Sequence, residues 1–141
     1  MILYLDTSAL VKKYVKEPGS SKVISAWKKA LGIATSAVTC AEILAAFHRK
    51  TREERIDPSV MEDLVAAFLK DWKSFIIVEV NDKLNELLPP LIGRHALRGF
   101  DAIHLASALI LNSAVTDSFL FACYDERLLA AARAEALETL P

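Results

Sequence analysis

Cysteine, long apolar runs and net charge are all scarce in this chain, and each scarcity removes a class of protein. Cys40 and Cys123 are its two cysteines. They are too few for a disulfide scaffold and lack the spacing of a thiolate metal site. Both fall in apolar segments and read as reduced core thiols. No apolar stretch approaches the ~20 residues of a membrane-spanning helix. Ile2-Leu3-Tyr4-Leu5 is too short for the apolar core of a signal peptide, and the charged region that precedes such a core is missing. A cytoplasmic protein away from membranes is expected. The formal net charge of −1 gives no global pull on nucleic acid. Internal repeats, low-complexity tracts and linkers are missing as well, so the 141 residues predict one domain, 1–141.

What is present is a 53% hydrophobic share patterned as strands alternating with helices. Ile2–Leu5 reads as a strand buried on both faces. A short helix, Ser8–Val15, is ended by Pro18-Gly19. The next helix starts near Ser20 or Ser21, either able to cap it, and runs past Trp27 to Leu31, where Gly32 closes it. Ile33-Ala34-Thr35 follows as a second strand, and then a helix over Ala37–Arg52. Arg52–Ile56 is a polar turn. Asp57-Pro58 caps and opens a helix to about Lys73. Phe75–Val78 is the third strand, and Asn81 caps a helix from Asp82 that Pro89-Pro90 must kink or restart. A helix over Asp101–Asn112, a fourth strand over Phe119–Tyr124, a helix over Glu126–Ala134 and an edge strand over Leu137–Leu140 complete the chain. This alternation predicts an α/β fold: a three-layer α/β/α sandwich around a parallel sheet of four to five strands.

Four acidic residues stand out against their apolar surroundings: Asp6, Glu42, Asp101 and Asp125. Asp6 and Asp125 each end an apolar strand, where open parallel sheets place their ligands. Glu42 lies within Val38–Phe47, and Asp101 opens the apolar run to Leu109. Each also has a purely structural reading. The three aspartates suit helix caps, and Glu42 in apolar company needs a basic partner. If the fold gathers all four, repulsion of roughly 3 kcal/mol per pair at ~5 Å must be answered by cations. Oxygen-only ligands favour Mg²⁺ or Mn²⁺. His104, one turn beyond Asp101, reads as a packed, hydrogen-bonded side chain. Asp117 precedes the fourth strand, at the wrong end of the sheet. Basic residues cluster at Lys12-Lys13-Lys16, Lys28-Lys29, Arg49 to Arg55 and Arg94-Arg98, leaving a surface net positive outside the four acids.

Three stretches and a fourth acid resemble the PIN domain, in particular the VapC-like ribonuclease toxins. Leu5-Asp6-Thr7-Ser8-Ala9-Leu10 is similar to the family's opening motif, Ala41-Glu42-Ile43 to its middle-helix Glu, and Gly99-Phe100-Asp101-Ala102-Ile103-His104-Leu105-Ala106 to its third motif. Asp125-Glu126-Arg127-Leu128 matches the fourth acidic position, although Cys123 stands where the family often has Thr. The resemblance spans essentially the whole chain. It implies Asp6 and Asp101 as the central ligands of Mg²⁺ or Mn²⁺, with Glu42 and Asp125 completing the catalytic site and Ser8 supporting Asp6. It further implies cleavage of single-stranded or loop RNA, and the toxin role in a type II toxin–antitoxin pair held by a cognate antitoxin. The apolar faces at Val11, Tyr14, Val15 and Phe47 suit a partner, a homodimer or the core. Two other readings remain at this point. One is a Mg-binding phosphoryl-transfer or receiver-like domain, with Asp82 as a poor phosphoacceptor. The other is a non-catalytic interaction module with an acidic pocket.

Overall fold

The first strand sets the plan of the molecule. In the computed structural model of residues 1–141, β1 (Ile2–Leu5) is wholly buried and pairs in parallel with a neighbour on each side. Its side chains alternate between two cores, as a period of two requires. Ile2 and Tyr4 enter one cluster, Leu3 and Leu5 the other. Around it lie β2 (Gly32–Ser36), β3 (Ile76–Val78), β4 (Phe119–Ala122) and β5 (Thr139–Leu140), all parallel, in the order β3-β2-β1-β4-β5. The chain builds outward from β1 in both directions, so a topological switch point opens at the carboxyl end of β1.

Helices α1 (Thr7–Tyr14), α2 (Ser20–Lys29), α3 (Thr39–Glu54) and α4 (Pro58–Trp72) supply the core on one face; α5 (Asp82–His95), α6 (Gly99–Ala114) and α7 (Glu126–Ala134) supply the other. The expected three-layer sandwich is therefore present. Val11 and Phe47 are buried in the first core, with Tyr14 and Val15 packed against it. That stripe is interior packing rather than a free partner surface.

Several boundaries differ from the sequence reading for identifiable reasons. The helix over α2 takes Gly19, in the left-handed region at φ 96°, as its N-terminal boundary, with no side-chain cap from Ser20 or Ser21. It stops at Lys29, and Gly32 begins β2 rather than closing the helix. β4 ends at Ala122, leaving Cys123 and Tyr124 as connecting residues. Above all, α5 runs unbroken through Pro89 and Pro90. Each proline withholds an N–H from the carbonyl four residues earlier. Those carbonyls belong to Asn85 and Glu86, which are exposed, as are the prolines, so water can satisfy them.

Candidate active site

Asp6 sits one residue beyond β1 and caps α1, accepting from the Ala9 backbone N–H at 2.9 Å. Its Ser8 neighbour shares one hydroxyl proton between both carboxylate oxygens, at 2.7 and 2.9 Å. The same Ser8 oxygen accepts the Tyr124 N–H at 2.9 Å. One hydroxyl thus ties the end of β1 to the connection after β4. Capping does not remove Asp6 from the site, since it also lines a cavity of about 520 Å³ shared with Glu42, Asp101 and Asp125.

Glu42 is in the first turn of α3, which begins at Thr39 rather than Ala37. Its Oε1 accepts from Thr7 Oγ1 at 2.7 Å and lies 2.8 Å from His104 Nε2. An ionised carboxylate only accepts, so the imidazole proton sits on Nε2 and Nδ1 accepts the Tyr4 hydroxyl at 2.9 Å. His104 is buried and hydrogen-bonded, as expected, and its two partners are a core residue, Tyr4, and a site carboxylate, Glu42. It is also the basic partner that Glu42 required. Thr7 and Tyr4 had not been singled out from sequence. The i, i+3 spacing of Asp101 and His104, which puts both on one helix face, was the available signal.

Asp101 does not open its helix: Arg98 holds the cap position and Asp101 falls in the first turn of α6. Asp125 does cap α7, its Oδ1 accepting from the Leu128 N–H at 2.9 Å. Behind it, Cys123 Sγ accepts the Asp125 N–H at 3.3 Å, so the thiol fills a supporting place beside the site. Cys123 is therefore a site neighbour as well as a buried thiol. Asp117 is exposed ahead of β4, away from the four acids.

The electrostatics record the crowding. Burial raises the Asp6 carboxyl above its usual range, outweighing the opposing pull of His104, Ser8, Ala9 and Cys123. Asp101 is raised too, first by desolvation and then by the charges of Asp125, Asp6 and Glu42, with only His104 opposing. Burial also pushes Glu42 up, but the hydrogen bonds from His104 and Thr7 oppose it and leave Glu42 below the usual range. No three of the acidic, His or Cys side chains close tightly enough to form a finished cation cage. The acids line one cavity as separated neighbours, an arrangement that mutual repulsion favours. The donor set itself fits a hard cation: oxygen ligands only, with Oε2 of Glu42 and Oδ2 of Asp125 taking no protein hydrogen bond.

Cations frame the cavity. Lys12, Arg49, Lys50 and Arg98 line it alongside the acids. Lys12 and Lys50 are engaged by Glu17, at 2.8 and 3.0 Å. The receiver-like alternative loses its residue here: Asp82 is exposed in the first turn of α5, behind the Asn81 cap.

The profile of the PIN domain family matches residues 3–134. Ribonuclease VapC45 of Mycobacterium tuberculosis is 30% identical over 140 residues, which cover 99% of this chain and 95% of that one. Among solved structures, a toxin–antitoxin complex from Klebsiella pneumoniae superposes with a TM-score of 0.68 at 15% identity, covering 99% of this chain and 96% of the other. VapBC2 from Rickettsia felis, bound to a DNA fragment from the promoter, gives 0.64 at 17% identity, covering 99% and 98%. These two likenesses concern the fold. Four motifs in order, the matching profile and a relative aligned over nearly its whole length agree: the chain belongs to the PIN domain family, among its VapC-like members.

Proposed function

We propose that this chain is a metal-dependent endoribonuclease and the toxin of a type II toxin–antitoxin pair. The observation that carries the reading is the convergence of four carboxylates, from the β1–α1 junction, α3, α6 and the β4–α7 junction, on one cavity at the carboxyl edge of the sheet. No helix in the chain is long and apolar enough to cross a membrane. We assign the protein to the cytoplasm.

Asp6 and Asp101 are the residues we assign to hold Mg²⁺ or Mn²⁺, with Glu42 and Asp125 completing the site. A divalent ion held there would lower the pKa of a coordinated water and offset negative charge building on a phosphodiester. The chain's own part is orientation. Ser8 fixes Asp6, Thr7 and His104 fix one oxygen of Glu42, and the α7 N-terminus fixes one oxygen of Asp125. The partners we assign are an RNA substrate, a cognate antitoxin and a second copy of this chain.

Purified protein should cleave single-stranded RNA in Mg²⁺ or Mn²⁺ and stop on chelation, and its induction should arrest growth. Asp101→Asn should abolish both effects. Full nuclease activity in that variant overturns the assignment.

A further inference from the structure

Seven large hydrophobic side chains are exposed, and Phe100 is the one aromatic among them, at 58% exposure. It stands beside Asp101 at the start of α6 and lines two open cavities. One, of about 480 Å³, also takes in Arg98, Asp101 and Asp125. The other, of about 610 Å³, is walled by Ala41, Ala45 and Arg49. Glu42 belongs to both, so the aromatic ring and the acidic cavity are continuous. Ala41 and Ala45 are exposed one helical turn apart on α3. Their short side chains leave room for a flat group beside the ring.

We infer that Phe100 is a stacking platform for an unpaired nucleobase of the RNA, with Arg49 and Arg98 receiving phosphates on either side. The inference rests on the ribonuclease reading and deepens it. Base–aromatic stacking suits a single strand of any sequence, because every base has a π face. The charge pattern selects this occupant. Arg49 and Arg98 take part in no ion pair, whereas Lys12 and Lys50 are held by Glu17. Two guanidiniums without a carboxylate partner are available to an anionic backbone, which they can grip through paired N–H donors. An unpaired nucleotide offers the flat apolar surface and the negative charge together.

The test uses the full chain with Asp6→Asn as a common background, so that RNA is bound without being cut. The probe is a twelve-nucleotide single-stranded RNA carrying 2-aminopurine at one position, moved along the strand in a series. The parent should quench 2-aminopurine at one position. Phe100→Leu, which keeps apolar bulk but removes the π face, should lose that quenching and weaken binding about 5- to 150-fold. Phe100→Trp should restore both. Because Phe100 is exposed, these variants should keep the parent's circular dichroism spectrum. Phe100→Leu binding and quenching as the parent does overturns the inference while leaving the nuclease reading intact. So does Phe100-dependent binding of an Arg-Leu repeat peptide in place of RNA. Wild-type protein that neither binds nor cleaves the RNA instead sinks the ribonuclease reading itself, and the platform with it.

Discussion

His104→Leu tests the most buried part of the site, because a similar volume is kept while two hydrogen bonds are deleted. His104 is 2% exposed and bridges the Tyr4 hydroxyl, at 2.9 Å, to Glu42, at 2.8 Å. Tyr4 is wholly buried, and its deprotonation is strongly opposed, first by desolvation and then by the nearby acids. Stranding its hydroxyl costs about 1–3 kcal/mol. Glu42 is partly exposed and keeps Thr7 and water, so its loss adds only about 1 kcal/mol. Ser107, whose buried hydroxyl has no other partner, lies close enough to offer Tyr4 a weaker bond, which sets the lower limit. The total is about 2–4 kcal/mol, or roughly 6–14 °C in melting temperature for a chain of this length. Differential scanning calorimetry reads the shift. Tyr4→Phe should then suppress much of the damage in a double-mutant cycle, because no orphaned hydroxyl remains. A His104→Leu protein melting within about 1 °C of the parent, or strictly additive effects in the cycle, would refute the bridge.

Asp6→Asn should stabilise the metal-free protein at pH 7 by roughly 2–6 °C, since Asn still caps α1 while a buried charge is removed. The sign with pH follows from the raised carboxyls of Asp6 and Asp101. The unfolded chain ionises them first, so the parent loses stability as pH climbs from about 4 through the raised values. The variant's advantage should therefore shrink towards zero in melts run below pH 4; an advantage independent of pH contradicts the mechanism. Adding Mn²⁺ to the parent should raise its melting temperature, by about 2.7 kcal/mol of stability at one hundred times the dissociation constant. No shift at millimolar metal would remove the case for a cation site. Gly19→Ala should cost about 1–3 kcal/mol in urea unfolding, because φ is 96° and the new Cβ would stand 2.7 Å from Tyr124 Cε1. A neutral substitution there would show that the α2 entry can relax.

Much of this protein was legible before folding. Ile2–Leu5, a short apolar run, became the doubly buried central strand, and Asp57-Pro58 capped α4 as its chemistry required. Asp6, Glu42, Asp101 and Asp125 could be chosen because carboxylates in apolar surroundings or just past strands are costly unless compensated. Other features were not legible. Pro89-Pro90 read as an interruption, yet α5 continues; the residues whose carbonyls lose a partner, Asn85 and Glu86, are exposed, a matter of which side of the helix is solvated. His104 read as a packed, hydrogen-bonded side chain, as it is, but its partners, Tyr4 and Glu42, lie 100 and 62 residues away and could not be named from its neighbours.

Local propensity and hydrophobic period, both short-range, settled the elements and which carboxylates were out of place. The packing of the helices on a sheet ordered β3-β2-β1-β4-β5 decided that those acids share one cavity, that Ser8 bridges two strand ends and that arginines line the cavities beside an exposed ring. Such pairings depend on which distant segments the sheet brings side by side, and charge interactions act on distances in space rather than along the chain.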